Sequence, residues 1–455
     1  MEVTCYGAVR TVTGSMHLVE TSGVRLLLDC GLFQGRRDEA YEVNAHLPFP
    51  PSSIDAVVLS HAHLDHCGNL PTLVSQGFSG PIYCTPATRD LAGLILRDSA
   101  KVQHQDAVFL AKRGRTGGKP SSPPLYSAEE AEAAIGHLVG VPYGRAFPIG
   151  GATVTFRDAG HILGSAVTSI EAAGRTLGFT GDLGRPGAPI LRDPEPLPAV
   201  DVLLMESTYG TRRHPPIAEG ERKLGEIVSE TVAGGGKVLI PSFAVGRAQD
   251  ITYALHRLRE TGRVPAVATY VDSPMAVDAT EIFRLHPECF DDEVRTHLEW
   301  QDPFGFKGLS YLRSAEESKT LNTKAESFLV IATSGMCESG RILQHLRHHI
   351  ADPRSVLLIV GFQAANTLGR RLVDGVSPVR VYGEPFDVRL RVAVLAAFSA
   401  HADGAELVEW VQRVPKVGRV YCVHGEEGEA AGLAGVLSAR GIPTEIPPRG
   451  QPITV

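Results

Sequence analysis

Ser60-His61-Ala62-His63-Leu64-Asp65-His66 puts three imidazoles and a carboxylate into one short stretch. Ile54-Asp55-Ala56-Val57-Val58-Leu59 before it reads as a short buried strand, and the apolar spacing of residues 64–74 predicts an amphipathic helix. The polar residues therefore fall where a strand ends and a helix begins. His61 and His63, two apart on extended backbone, point to one side and can share an ion. Asp65 and His66 open the helix and turn toward a neighbouring position, where they can hold a second. Imidazole with carboxylate suits zinc, with manganese or iron as alternatives, and the lack of thiolate ligands marks an open site rather than a closed structural one. A lone histidine is usually solvated or satisfied in a core; four ligand-type residues at this spacing point to a catalytic metal centre.

The 455 residues leave room for about three domains, or for one large catalytic domain with an insertion. Hydrophobic residues make up 43% and charged residues 21%, the balance of a soluble enzyme, and no apolar run approaches the ~20 residues of a membrane span. Met1-Glu2-Val3-Thr4-Cys5 has neither the basic nor the apolar character of an export signal. Seven cysteines are scattered without a C-x-x-C pair, which fits a reducing cytoplasm. The formal net charge of −7 argues against a generic polyanion binder. Basic clusters stand at Lys112-Arg113-Gly114-Arg115, Arg212-Arg213-His214 and Arg370-Arg371, each either a local phosphate groove or a solvated face.

Residues 2–8, 17–21 and 24–28 read as a β-meander with a tight Ser22-Gly23 turn. Asp29 follows at a strand end, either as a turn former before Gly31 or on the rim where the His61 loop emerges. After a strand at 82–84, Thr85-Pro86 opens a helix running past residue 100. Residues 113–124, rich in Gly, Lys, Ser and Pro, predict a mobile loop, and Ser127-Ala128-Glu129-Glu130 reads as a capping box. Strands at 152–157, 167–172, 175–180 and 202–205 deliver His161, Asp182 and Glu206 to one rim. From about 211 to about 391 helices and strands alternate, which predicts a largely parallel α/β layer. The first pattern returns at 392–398, and both Ser399-Ala400-His401-Ala402-Asp403 and His424-Gly425-Glu426 again set a histidine at a strand end. The expected organisation is one domain from residues 1–210 and 392–455, with 211–391 inserted.

Asp29, the His61-to-His66 motif, His161, Asp182, Glu206, Phe398-Ser399-Ala400-His401-Ala402-Asp403 and Val423-His424-Gly425-Glu426 occur in the order found in the β-CASP nucleases of the metallo-β-lactamase superfamily. The chain resembles that family over essentially its whole length, and is most similar to bacterial and archaeal relatives of the endonuclease subunit of the cleavage and polyadenylation factor. The resemblance implies an α/β fold, an αββα metallo-β-lactamase sandwich with an inserted, mostly parallel β-CASP domain, and substrate entry between the two. It implies two zinc ions per chain, with manganese as the alternative: His61, His63 and His161 on one, Asp65, His66 and His424 on the other, and Asp182 bridging. Asp29 would buttress the histidines. Glu206 and His401 would be an accessory catalytic pair. The implied activity is hydrolysis of single-stranded RNA, endonucleolytic, with a hydroxide shared by the metals as nucleophile, His401 as general acid and Glu206 as its orienter.

Two further segments resemble family motifs that precede helices. Ser334, Ser339 and Arg341, with Thr367 and Arg370, offer hydroxyls, helix-start amides and guanidinium groups to RNA phosphates; ordinary helix caps with solvated arginines are the alternative. Members acting on RNA carry histidine at the last motif, as position 424 does. The resemblance also allows a homodimer, and no membrane association is expected. Rival functions are a 5′-3′ exoribonuclease of the ribonuclease J type, a small-molecule (thio)ester hydrolase, which would lack the insertion and the His401 pair, and a non-catalytic scaffold, against which stands a full set of ligand positions.

Overall fold

The computed structural model describes residues 1–114, 123–298, 301–361, 363–364 and 366–455. From 115 to 122 the expected loop lies outside the described residues, as do the side chains of the Lys112-Arg113-Gly114-Arg115 cluster. The chain divides into two compact units. The first comprises Met1–Gly187, Leu191–Arg213 and His401–Val455, the second Ala188–Ile190 and His214–Ala400.

The first unit is built on two seven-stranded sheets. One runs Pro452–Thr454, Glu2–Cys5, His17–Thr21, Val24–Leu28, Ala56–Val58, Ile82–Cys84 and Leu138–Gly140. The other runs Thr444–Glu445, Val417–Val423, Val200–Glu206, Arg175–Phe179, Ala166–Ala172, Ala152–Asp158 and Phe147–Ile149. Alternation along Val200–Glu206 shows how the layers form: Val202 and Leu204 join the core between the sheets, while Leu203 and Met205 pack under the helices Gly404–Arg413 and Glu427–Ala439. Leu26, Leu28, Phe156 and Ile170 fill the same inter-sheet core, and each such side chain contributes roughly 1.5–3 kcal/mol by leaving water.

Parallel pairing sets the rim. Val24–Leu28 runs parallel to Ala56–Val58, and Val200–Glu206 runs parallel to both Arg175–Phe179 and Val417–Val423. Their C-terminal ends therefore release Asp29, Ser60, Asp182, Glu206 and His424 toward one edge, the usual ligand edge of parallel strands. The helix expected over 64–74 is two helices, Leu64–Cys67 and Leu70–Ser75. The break has a cause: Asn69 N–H donates to Cys30 O at 2.9 Å, and Pro71, in the first turn of the second helix, has no N–H to continue the ladder.

The second unit holds a six-stranded parallel sheet in the order Leu309–Leu312, Ala268–Asp272, Phe328–Ala332, Val238–Pro241, Val356–Ile359, Arg391–Val394. Val238 and Ile240 meet the helices Ile217–Ala233 and Arg247–Glu260 on one face, and Leu239 meets Gly340–His349 on the other. The expectation that residues 392–398 return to the first domain needs correction. Arg391–Val394 pairs with Val356–Ile359 in the second unit, a short 3-10 turn spans Ala396–Phe398, and the change of unit falls between Ala400 and His401. Apolar alternation marks a strand, but both sheets accept the same alternation.

Candidate metal centre

Asp29 organises the loop. Fully buried, it accepts Ser60 N–H on Oδ1 at 2.8 Å, and on Oδ2 it meets the hydroxyls of Ser60 and Ser15, each at 3.0 Å. His66 Nδ1 lies 2.7 Å from the same Oδ2. That bond sets the His66 tautomer and aims Nε2 at the rim, where it sits 3.0 Å from His424 Nε2. Asp29 pays for the position with a left-handed backbone, φ 58°. Neither Ser15 nor Ser60 stood out in the sequence, because a serine beside a motif carries no periodic or spacing signal.

Two ligand groups result. His61, His63, His161 and Asp182 form one, and Asp65, His66 and His424 form the other, with the donor atoms of each group within 4.8 Å of one another. In the first, His63 Nδ1 lies 3.1 Å from His61 Nε2 and 3.2 Å from His161 Nε2. Nitrogens bound tetrahedrally to zinc at about 2.05 Å stand about 3.3 Å apart, so this is ligand spacing. In the second, His424 Nε2 is 3.4 Å from Asp65 Oδ2. Asp182 faces both, and with Glu206 and His424 it forms a third, overlapping group: its Oδ2 is 3.5 Å from His61, 3.6 Å from His161 and 3.4 Å from His66, and its Oδ1 is 3.2 Å from His424 Nδ1.

Asp182 also tests the fit of a cation. It is buried, yet its Oδ1 makes no hydrogen bond among the described residues. A buried carboxylate oxygen without a donor is costly, and converging imidazole lone pairs beside it repel; a divalent ion relieves both. Charge agrees. Burial, and then the neighbouring His66, hold His61 well below the usual imidazole range, and burial lowers His63 to about 4 despite Asp65 and Asp182. Neutral imidazole is the ligating form. Burial raises Asp182, but His424 and His66 outweigh it and keep the carboxyl ionised. The donor set therefore fits divalent metal.

His424 is placed by strain and close packing. Its φ is 48°, its N–H donates to Ala8 O at 2.7 Å, and Thr208 Oγ1 reaches its carbonyl at 3.0 Å and its Nδ1 at 3.2 Å. Gly425 beside it is obligatory: a Cβ would stand 2.3 Å from Ser207 Oγ. Beside the ligands, His401 Nδ1 faces both oxygens of Glu206 at 3.3 Å and Asp182 Oδ2 at 3.9 Å. Glu206 is fully buried and accepts Leu183 N–H at 2.6 Å and Thr208 N–H at 3.3 Å, which leaves it no freedom to rotate. Burial alone would lower His401, but Glu206 and then Asp182 raise it to about 9. Asp403, two residues on, caps the helix Gly404–Arg413 in a box with Glu406, whose carboxylate also binds Arg185.

Of the residues of the second unit picked from sequence, the side chains of four have partners within the protein. Ser334 Oγ accepts the N–H groups of Glu338 and Ser339 at 3.1 and 3.3 Å. Ser339 stands at the N-cap of Gly340–His349 without a side-chain cap bond. Arg341 donates to Asp272 Oδ1 and to the carbonyls of Leu312 and Arg313 at 2.5, 3.1 and 2.6 Å. Thr367 caps Leu368–Val373 by accepting Arg370 N–H, and Arg370 pairs with Asp374 one turn on. Of the other basic residues, Arg212 pairs with Glu429 and Arg213 lies 3.8 Å from Asp403.

The fold and centre define a metal-dependent hydrolase. Residues 9–229 match the model of the metallo-β-lactamase superfamily, 248–372 that of the β-CASP domain, and 385–447 that of the Zn-dependent metallo-hydrolase RNA specificity domain. Ribonuclease TTHA0252 of Thermus thermophilus is 40% identical over 411 residues, covering 90% of both chains. Transcription termination factor FttA of Methanosarcina mazei is 33% identical over 424 residues, which span 90% of this chain but only 64% of that protein. A crystal structure of a protein of unknown function from Enterococcus faecalis V583 shares the fold, with a TM-score of 0.59 at 14% identity over 100% of this chain and 99% of that one. The chain belongs to the β-CASP family of the metallo-β-lactamase superfamily. Among the described residues no helix is long and apolar enough to cross a membrane, and all seven cysteines are free and buried.

Proposed function

We infer that this chain is a metal-dependent ribonuclease that cleaves single-stranded RNA internally at a two-zinc centre, with manganese as the alternative metal. The observation that carries the reading is Asp182, one carboxylate set against both ligand groups, with the His401–Glu206 pair at its side. Bound there, two divalent cations supply Lewis-acid activation of the attacking water and neutralise charge on the phosphate. The protein supplies the rest. Asp29, Ser15 and Ser60 hold the histidine loop at fixed geometry, so no ligand must reorganise during reaction. Asp182 keeps the two groups in register. His401, protonated beside two carboxylates, gives its proton to the leaving 3′-oxygen of ribose, while Glu206 orients the ring and stabilises its charge. Ser334, Ser339, Arg341, Thr367 and Arg370 then serve RNA phosphates through the loops they brace.

Cleavage of end-labelled single-stranded RNA, a matched DNA and a small ester, in added zinc or manganese, tests the reading. Internal RNA fragments are expected. Mononucleotides released from one end would make the enzyme an exonuclease, and turnover of the ester alone would overturn the nucleic-acid assignment.

A further inference from the structure

A cavity of about 280 Å³ opens in the first unit between residues 6–16, 31–48 and 449–450. It is at the small end for ligand pockets, a size for one flat ring system rather than a duplex. Its wall is continuous with the metal centre. Ala8 in that wall accepts His424 N–H through its carbonyl at 2.7 Å, and Gly31 lies so close to the ligand loop that a Cβ would stand 1.6 Å from Asp65 O. The cavity is thus one backbone layer from two ligands of the second group.

Its chemistry is that of a base site. Tyr6 and Phe33 contribute rings, and Tyr6 is backed by Phe49 with centroids 5.6 Å apart. Arg449 Nε donates to Tyr6 O at 2.9 Å, which pins an exposed guanidinium at the cavity with no carboxylate partner among the described residues. The hydroxyls of Tyr6 and Thr11 make no hydrogen bond to a described residue and can meet the polar edge of a ring. Single-stranded RNA is recognised in this way, by splayed bases against aromatic rings and by cations on its phosphates.

We propose that this cavity receives one unstacked nucleobase of the RNA strand held at the metal centre, with Tyr6 against the base and Arg449 on a neighbouring phosphate. The proposal rests on the ribonuclease reading, and the test separates the two. Binding is followed by fluorescence anisotropy in a His401→Ala background, using labelled short RNAs that each lack one base. Removal of the base at one fixed position weakens binding about tenfold, and the penalty disappears when Tyr6→Ala or Val43→Trp is added. Val43 lines the cavity and is 38% exposed, so a tryptophan there fills the space without entering the core. A penalty unchanged in both variants, or equal at every position, overturns the assignment. Cleavage by the wild-type chain is read alongside: position-specific binding without cleavage sustains the base site and contradicts the ribonuclease, whereas cleavage without position-specific binding does the reverse.

Discussion

Each unit contains a buried aspartate at the end of a strand, held by a histidine and a serine, and the two are put to opposite use. Asp29 binds His66 Nδ1 at 2.7 Å with Ser15 and Ser60, and the other ring nitrogen, Nε2, faces His424 and Asp182. Asp272 binds His345 Nε2 at 2.8 Å, Ser318 Oγ at 2.6 Å and Arg341 at 2.5 Å, but there Asn322 takes the other ring nitrogen at 3.0 Å. One cluster leaves a ring nitrogen facing other donors; the other is closed. What makes a metal centre is therefore the nitrogen left facing other ligands, since the aspartate–histidine bond is common to both. The Asp272 cluster instead ties Ser318, Arg341 and His345 to the end of its strand.

Breaking the two clusters should give different phenotypes. The largest effect is expected for Asp182→Ala, which removes the shared carboxylate: metal analysis should show loss from both groups, and RNA cleavage should fall on the order of 10³-fold, the several kcal/mol that bound ions supply. Asp272→Ala comes next and acts on stability alone. It strands the buried ring of His345 and leaves Arg341 only its two carbonyl partners, so denaturant unfolding should register a loss of about 3 kcal/mol while metal content stays at the wild-type level. A smaller change is expected for Asp29→Asn, with metal affinity falling about 10- to 100-fold by titration against a competing chelator. Loss of metal in Asp272→Ala, or its full retention in Asp29→Asn, would erase the distinction between the clusters.

The mildest test is pH. His401 rises to about 9 in the metal-free protein, above the ordinary imidazole value, so its ion pairing stabilises that form fully below about 6.5 and is lost as pH climbs through 9. Bound cations pull the value down. Turnover should fall on the alkaline side as the acid loses its proton, and this limb should vanish in His401→Ala, whose remaining rate is about 10²-fold lower.

Much of the candidate centre was legible because the residues proposed as ligands sit in short motifs at strand ends, where spacing alone says which way a side chain points. His61 and His63 are two apart on extended backbone, and Asp182, Glu206 and His424 each close a strand whose apolar pattern is plain. What spacing does not carry is partnership across the chain. Nothing in the spacing around Arg341 announces its bond to Asp272, 69 residues away. The Arg391–Val394 strand reads correctly as a strand and belongs to the other sheet, because alternation does not name a neighbour. Likewise nothing in Pro452–Thr454 announces that it pairs with Glu2–Cys5 and completes a sheet from both ends of the chain. The helix break at Gly68-Asn69 came from a tertiary bond to Cys30, again invisible to periodicity.

Metal stoichiometry measured together with RNA cleavage, for the wild type and for His401→Ala, decides whether Asp182 serves two ions with His401 outside their ligands. The two ligand groups predict about two divalent ions per chain in both proteins, with cleavage slowed about 10²-fold only in the variant. A single ion in the wild type, or loss of metal on replacing His401, would contradict it.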